Sequence, residues 1–510
     1  MLVWLLILNG LFLVPALALP GAAPWLSVEA LALWALLCLR PVSRDRLTIT
    51  LAIGYSAIAL LVLADALVRQ SLGRGLNLYL EAGLLGAAWN ILTTNLGVPW
   101  ALLAVVLLLG ALAGVGWLFH VSLERLHRYS PKRLGNPLLL VTGLAIAGAV
   151  TPQIGSPALA LVAHQATLFS DTQRASQALA EQLRTRGDRP ASLPRLAGKD
   201  VILGFIESYG ISSLTDDRYR RRIDPQLETL AERLASSGLT VATGRLRSPV
   251  QGGQSWLGHL STISGHWIAN QLAYETVLSS GYPTLVDDFR RTGHRTLAVM
   301  PAITRAWPEG RLLRYDRIYA STNLDYRGPT FNWVTMPDQY TWHWFQQLRQ
   351  RTAAPVFAEL ALISSHAPWV PVLPVLEDWD TIGNGRVFNR WRGTGEDPVS
   401  LWQDPDRVRD HFARSIRYSL TVAGEFAARY VRDDALMILL GDHQPAPLIT
   451  GDNASRDVIV HVISGNPALV APFLSGELPG FRPGTRPDLH TPGAPMNRFR
   501  PFLHRHFGGL

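Results

Sequence analysis

The sequence predicts an α-helical membrane domain of about five transmembrane helices followed by a layered α/β domain, and three features predict it. Charge is divided unevenly: residues 1–120 carry five Arg, no Lys and four acidic residues, and almost all the remaining charge lies beyond residue 121. Apolar runs near the ~20 residues that cross a bilayer crowd the first 155 positions. Beyond residue 198, short β-branched runs alternate with helical periodicity, and two of those runs end in metal-ligand chemistry, at Glu207 and at Asp442-His443.

The chain has 510 residues, of which only 17% are charged. That is too apolar for a wholly water-soluble protein. Hydropathy places spans at 2–19, 24–41, 47–67, 99–120 and 136–154. The first has no basic segment before it and further spans follow directly, so it is read as an anchor and not as a cleaved leader. The stretch 75–97, with Asn77, Glu81, Asn90 and Asn95, is too polar to face lipid and is expected at the interface or packed inside the bundle. Arg40, Arg44 and Arg46 flank spans two and three, and Arg125, Arg128, Lys132 and Arg133 flank spans four and five. Both loops are therefore expected in the cytoplasm, although Arg69 and Arg74 lie on the other side. The amino terminus is then inside, and everything after span five is outside. The one cysteine, Cys38, falls in span two, so the exported part must be held by its own core. The net charge of +8 is spread over scattered Arg, which fits anionic headgroups better than nucleic acid.

The predicted division is 1–155 for the membrane domain, 156–198 for a surface helix and linker, and 199–510 for the α/β domain. Within the connector, 163–186 has helical spacing of Ala and Leu, and Pro190 and Pro194 mark the linker. Strands are expected at 201–206, 239–244, 296–300, 356–363, 435–440 and 458–464. Helices are expected at 227–237, 283–292 and about 408–431.

The run 201–206 is apolar at five of six positions and breaks at Glu207-Ser208-Tyr209-Gly210. A carboxylate there stands at the carboxyl end of a strand, where open α/β sheets place their ligands. Glu207, Asp442 and His443 together offer two carboxylates and an imidazole, which suit a divalent metal: Mn²⁺ first, with Mg²⁺ and Zn²⁺ as alternatives. A hydroxyl is still needed as nucleophile. Ser255 is the candidate, because Gly252-Gly253-Gln254 precede it and it opens a helix to about residue 263, which puts it at a positive helix end. An ordinary Ser N-cap is the competing reading.

These residues resemble the lipoteichoic acid synthase and phosphoglycerol transferase family of the alkaline phosphatase and sulfatase superfamily. The resemblance implies an alkaline-phosphatase/sulfatase-like extracytoplasmic domain behind the membrane helices, in a bacterial inner membrane. It implies that Glu207, Asp442, His443 and Ser255 are metal ligands, with Ser255 standing where the family usually has Thr. His366, in Ser365-His366-Ala367-Pro368, matches a family His of phosphate recognition or leaving-group protonation. Trp307 and Arg311 match a substrate-binding Trp and Arg, and Arg305 competes with Arg311 because the spacing departs from the family's Trp-x-Arg. Asp338 resembles an acidic turn of these enzymes, or is a plain N-cap. The implied activity is transfer of phosphoglycerol from phosphatidylglycerol to a hydroxyl of a glycan, glycolipid or polymer through a seryl intermediate. The alternatives are a phosphoethanolamine transferase, a phosphodiesterase or sulfatase-type hydrolase, and an inactive membrane scaffold. The spans and the lack of cysteine pairs favour the lipoteichoic acid synthase branch over the phosphoethanolamine transferases, and no x-Pro-x-Arg follows Ser255 as a sulfatase requires. His259, His266, His343, His411 and His504 are read as packing or surface residues. His461, inside the late strand, is open to either packing or lining the site.

Overall fold

The computed structural model describes residues 1–19, 21, 24–39, 44–129, 151, 153–186 and 189–509. It divides into two compact units, Met1–Gln70 with Arg74–Gln177, and Ser71–Gly73 with Ala178–Leu510.

The first unit contains helices α1 (Leu2–Leu13), α2 (Val28–Leu39), α4 (Leu85–Leu96) and α5 (Val98–Tyr129), and most of α3 (Arg44–Leu72) and α6 (Pro157–Arg186). Its core holds Phe12, Tyr55 and Phe119, with Tyr55 stacked on Phe119 at 4.6 Å. About five spans are expected, but among the described residues only Arg46–Leu72 and Val98–Arg128 are long and apolar enough to cross a bilayer. The apolar stretch at the start is shorter because α1 gives way to a 3₁₀ turn, Val14–Ala18, with a proline in its first turn. The described part of span two is a 12-residue helix, about 18 Å against the ~30 Å of a hydrocarbon core. Its start is set by polar groups: Ser27 accepts from Ala30 N and donates to Glu29, whose other carboxylate oxygen accepts from Leu159 N. Nearly all of the span predicted at 136–154 lies outside the described residues, and so does most of the basic loop before it. Asp65, inside α3, is paired with Arg69 at 2.5 Å and accepts from Leu76 N, as an acid in such a helix must be. In the polar stretch, Asn77 caps a short turn and donates to Thr172.

The second unit is built on a nine-stranded sheet. Its strands are β1 (Asp200–Ile206), β2 (Thr240–Arg247), β3 (Arg295–Met300), β4 (Arg317–Ala320), β5 (Val356–Leu362), β6 (Ala435–Gly441), β7 (Asp457–Ser464), β8 (Arg482–Pro483) and β9 (Ala494–Pro495). The order is β8-β2-β7-β6-β1-β5-β3-β4, with β9 also on β2. β6, β1, β5, β3 and β4 are mutually parallel, and β7 runs antiparallel between β2 and β6. β1 is therefore central and its apolar run is buried on both faces. Ile202 and Ile206 join one core with α7 (Asp217–Ser236), α12 (Asp338–Gln350) and α13 (Pro405–Tyr430). Val201, Leu203 and Phe205 join the other with α8 (Ser255–Ser264), α10 (Leu285–Arg291) and α14 (Phe499–Phe507).

The expected strands are all present within about three residues. The first expected helix begins ten residues earlier than its apolar run, because Asp216 caps it at Arg218 N and the added turns are polar. α9 (Gln271–Ser279), α11 (Pro308–Leu312), α14 and strand β4 stand where no element is expected. Asp338 is not the N-cap of α12, a position held by Pro337. It is fully buried, accepts from Ser364 N and Ser419 Oγ, and so ties the exit of β5 to α13. Burial raises its pKa.

Candidate active site

Three neighbouring strand ends and one helix start converge. β1 ends as Glu207 N donates to Leu362 O, and Ser208 then turns away with φ +59°. That turn aims Ser208 N at Asp442 Oδ1, 2.8 Å away, and lets Ser208 Oγ donate to Glu207 Oε1 at 2.8 Å. β6 ends at Gly441, where a Cβ would lie 2.2 Å from Tyr209 O, so only glycine fits beside the β1 turn. Asp442 follows, and its Oδ1 also accepts from His443 N at 2.7 Å.

The Gly-rich loop that carries Ser255 rises from β2. Gly252, Gly253 and Gln254 have φ of +74°, +151° and +64°, a path that suits Gly and leaves Gln254 as the N-cap of α8. Ser255 is thus the first helical residue and its side chain caps nothing. Its Oγ lies 3.3 Å from Glu207 Oε2, to which it donates, and 3.3 Å from His443 Nε2. Gly258 brings α8 against β6, since a Cβ there would be 2.7 Å from Asp442 O.

Glu207, Asp442 and His443 place one ligand atom each within 4.8 Å of one another. His443 Nε2 is 3.4 Å from Glu207 and 3.6 Å from Asp442. His443 Nδ1 donates to Gln444 O at 2.8 Å, which turns the Nε2 lone pair toward the carboxylates, as a ligating imidazole requires. Side chains of Asp442 and His443 are almost fully buried and that of Glu207 is 11% exposed. Burial and the charge of Glu207 push Asp442 up to about 6. Burial opposes ionisation of Glu207 as well, but the charges of His443 and His366 and bonds from Ser208 and Asp442 outweigh it, so Glu207 falls below the usual range. His443 is raised: burial lowers it, and Asp442 and Glu207 more than compensate. Two facing carboxylates and an oriented imidazole, with a hydroxyl at their edge, fit a divalent cation.

His366 follows β5 and acts on Glu207 through its charge. Its turn is tied to β1 by Ser365 Oγ donating to Glu207 O at 2.6 Å, and its Nδ1 donates to Ala367 O at 2.6 Å. Arg305, Trp307 and Arg311 line one cavity of about 370 Å³ after β3, with Ile303, Ile318 and Asn323 on the same wall. Glu207, Ser255, Asp442 and His443 are not among those lining it. His461 packs: it is buried between Tyr209 Oη and Thr243 Oγ1, and burial lowers it to about 4. His504 pairs with Asp288, and His411 with Trp369 O. His259 is more than a packing residue, because its Nδ1 lies 2.7 Å from buried Glu359, which also receives the Tyr315 hydroxyl. Nothing in the sequence links these three, which stand 100 and 44 positions apart; a lone Glu in the apolar run 356–363 is the one signal.

No protein-family model and no curated protein matches the chain. Solved structures of phospho-group transferases do. One is the lipoteichoic acid synthase LtaP of Listeria monocytogenes, at 12% identity over 57% of this chain and 71% of that one, with a TM-score of 0.38. Another is the Streptococcus pyogenes phosphoglycerol transferase GacH in complex with sn-glycerol-1-phosphate, at 14% identity over 57% and 74%, with a TM-score of 0.35. The integral membrane lipooligosaccharide phosphoethanolamine transferase A of Neisseria meningitidis covers more, at 12% identity over 88% and 82%, with a TM-score of 0.44.

Proposed function

We propose that the protein is a membrane-anchored, metal-dependent transferase that moves phosphoglycerol from phosphatidylglycerol to a hydroxyl of a glycan, glycolipid or polymer. It acts on the extracytoplasmic side of a bacterial inner membrane through a covalent intermediate on Ser255. The observation that carries this reading is the Ser255 hydroxyl at the head of α8, 3.3 Å from both Glu207 and His443. A divalent ion held by Glu207, Asp442, His443 and Ser255, Mn²⁺ in this proposal, would supply positive charge that favours the ionised hydroxyl and offsets the charge on phosphate.

The residues of the chain do the rest. Glu207 Oε2 accepts from Ser255 Oγ, orients it and takes its proton. Ser255 Oγ forms the bond to phosphorus as the bond to the diacylglycerol oxygen breaks. His366 gives that oxygen its proton from Nε2, since Nδ1 is engaged with Ala367 O. The acceptor hydroxyl then bonds to phosphorus as the Ser255 bond breaks, His366 takes the acceptor's proton, and Ser255 Oγ regains its own from Glu207. Arg305, Arg311 and Trp307 receive the charged part of a substrate in their cavity.

The test is purified full-length protein in detergent with fluorescent phosphatidylglycerol and Mn²⁺, with Ser255→Ala alongside. Metal-dependent diacylglycerol from the wild type alone is expected. Release by Ser255→Ala as well would remove Ser255 as nucleophile. Release from phosphatidylethanolamine and not from phosphatidylglycerol would replace the donor, and silence with both lipids would defeat the reading.

A further inference from the structure

Glu359 lies in the middle of β5, in register with Leu203 of β1 and Ala298 of β3, and is 2% exposed. A carboxylate in a central strand is costly unless it is paired and hydrogen-bonded, and an apolar residue would serve the strand better. Both of its oxygens are used. One lies 2.7 Å from His259 Nδ1 and the other accepts from Tyr315 Oη. Neither Glu359 nor His259 has a part in the chemistry set out above.

Their contacts lead to residues of that chemistry. His259 stands one helical turn beyond Ser255 on α8, hence on the same face, and its ring lies on Phe205, two residues before Glu207, with centroids 3.7 Å apart. Tyr315 comes four residues after Arg311 of the cavity. Beside it, Tyr274 is hydrogen-bonded to Trp307 of the same cavity. Gly258 sets how close α8 lies to β6 but does not stop the helix from turning about its axis. A side chain held from the next turn does.

We propose that Glu359 is a positioning residue that fixes the nucleophile helix through His259 and the arginine-lined cavity through Tyr315, so that both keep one arrangement about β1. The proposal rests on the reading of Ser255 as nucleophile.

Steady-state kinetics of the full chain test it. His259→Phe keeps a ring on Phe205 and removes the donor; kcat should fall by about tenfold to a hundredfold, the cost of a small misplacement, with KM within about twofold. His259→Asn, whose amide can replace Nδ1 as donor, should recover most of that loss. Tyr315→Phe should raise KM by about tenfold with kcat within about twofold, and Glu359→Gln should show both changes. Equal kcat losses in His259→Phe and His259→Asn, or wild-type kinetics in Glu359→Gln, would overturn the proposal. Hydrogen exchange gives a readout independent of turnover: Glu359→Gln should speed exchange in 255–264 and 308–315 and leave 217–236 unchanged. Faster exchange throughout, or none in the two named segments, would also overturn it. If wild type transfers nothing, the functional reading fails while exchange still decides this one. If Glu359→Gln does not fold, the His259 and Tyr315 variants carry the test.

Discussion

Cation binding should depend steeply on pH, and the carboxylates set the direction. Asp442 is raised to about 6 by burial and by the charge of Glu207, and His443 is raised above its usual value of 6.5 by Asp442 and Glu207 against the opposing effect of burial. Both must lose a proton to become ligands. Glu207 is lowered and is already ionised above pH 5, so it releases none. At pH 5 a carboxyl of pKa about 6 is roughly nine-tenths protonated, which weakens binding about tenfold, or ~1.4 kcal/mol, relative to pH 7.5. His443, raised as well, adds a loss in the same direction. The sign for the ion-free protein is opposite to that of a typical salt-bridged Asp: the native state holds the Asp442 proton more tightly than the unfolded chain, so stability falls as pH rises from about 4 to about 6. Cation should therefore raise the thermal midpoint more at pH 7.5 than at pH 5. Calorimetric titration of EDTA-treated protein with Mn²⁺ at pH 5 to 7.5 checks this, in two buffers of different ionisation heat so that released protons are counted. Affinity that stays flat across the range, or binding without proton release at pH 5, would refute the argument.

Three further outcomes follow from the packing. Gly258→Ala forces a Cβ to 2.7 Å from Asp442 O and should cost ~1–3 kcal/mol of stability, with loss of turnover, seen in thermal denaturation and the lipid assay. Asp288 is fully buried and receives Arg500 Nε at 2.7 Å and His504 at 2.7 Å; Asp288→Ala leaves Arg500 unpaired and should cost ~3–5 kcal/mol in chemical denaturation. Arg305→Ala and Arg311→Ala, measured singly, should each raise KM for the lipid donor with kcat nearly unchanged, and the larger rise identifies the stronger phosphate contact.

The strand-borne part of the site was legible because each ligand follows an unbroken apolar run: 201–206 before Glu207 and 435–440 before Gly441. Those runs need no partner to be recognised as buried strands. Ser255 was legible for a different reason, the glycines whose positive φ a turn into a helix requires. What stayed hidden depends on contacts distant in sequence. Glu359 reads as an interruption of a strand until His259 and Tyr315 are seen to meet it. Asp338 reads as a cap until Ser364 and Ser419 close on it from two other elements. Among the described residues, hydropathy also placed the start of one expected span too early: an average over a span cannot register that Ser27 and Glu29 hold polar partners at the start of α2.

Register, more than motif, makes the site. β1 lies between β6 and β5, with Ile206 opposite both Gly441 and Leu362. Because adjacent strands lie ~4.8 Å apart, this alignment alone sets Glu207 beside Asp442 and brings Ser365-His366 to the same edge. A slip of β1 by one residue against β6 would turn Glu207 to the other face and bury Phe205 where Ile206 packs. Alternate apolar residues committed to two separate cores oppose that slip. The apolar interior of the sheet therefore holds two carboxylates side by side that would otherwise repel. A fourth segment must then approach without a side chain in the way, and Gly258 on α8 permits it. Once α8 is seated, rotation about its own axis is the remaining freedom that would carry Ser255 away from Glu207 and His443, and the buried Glu359 opposes that rotation through His259.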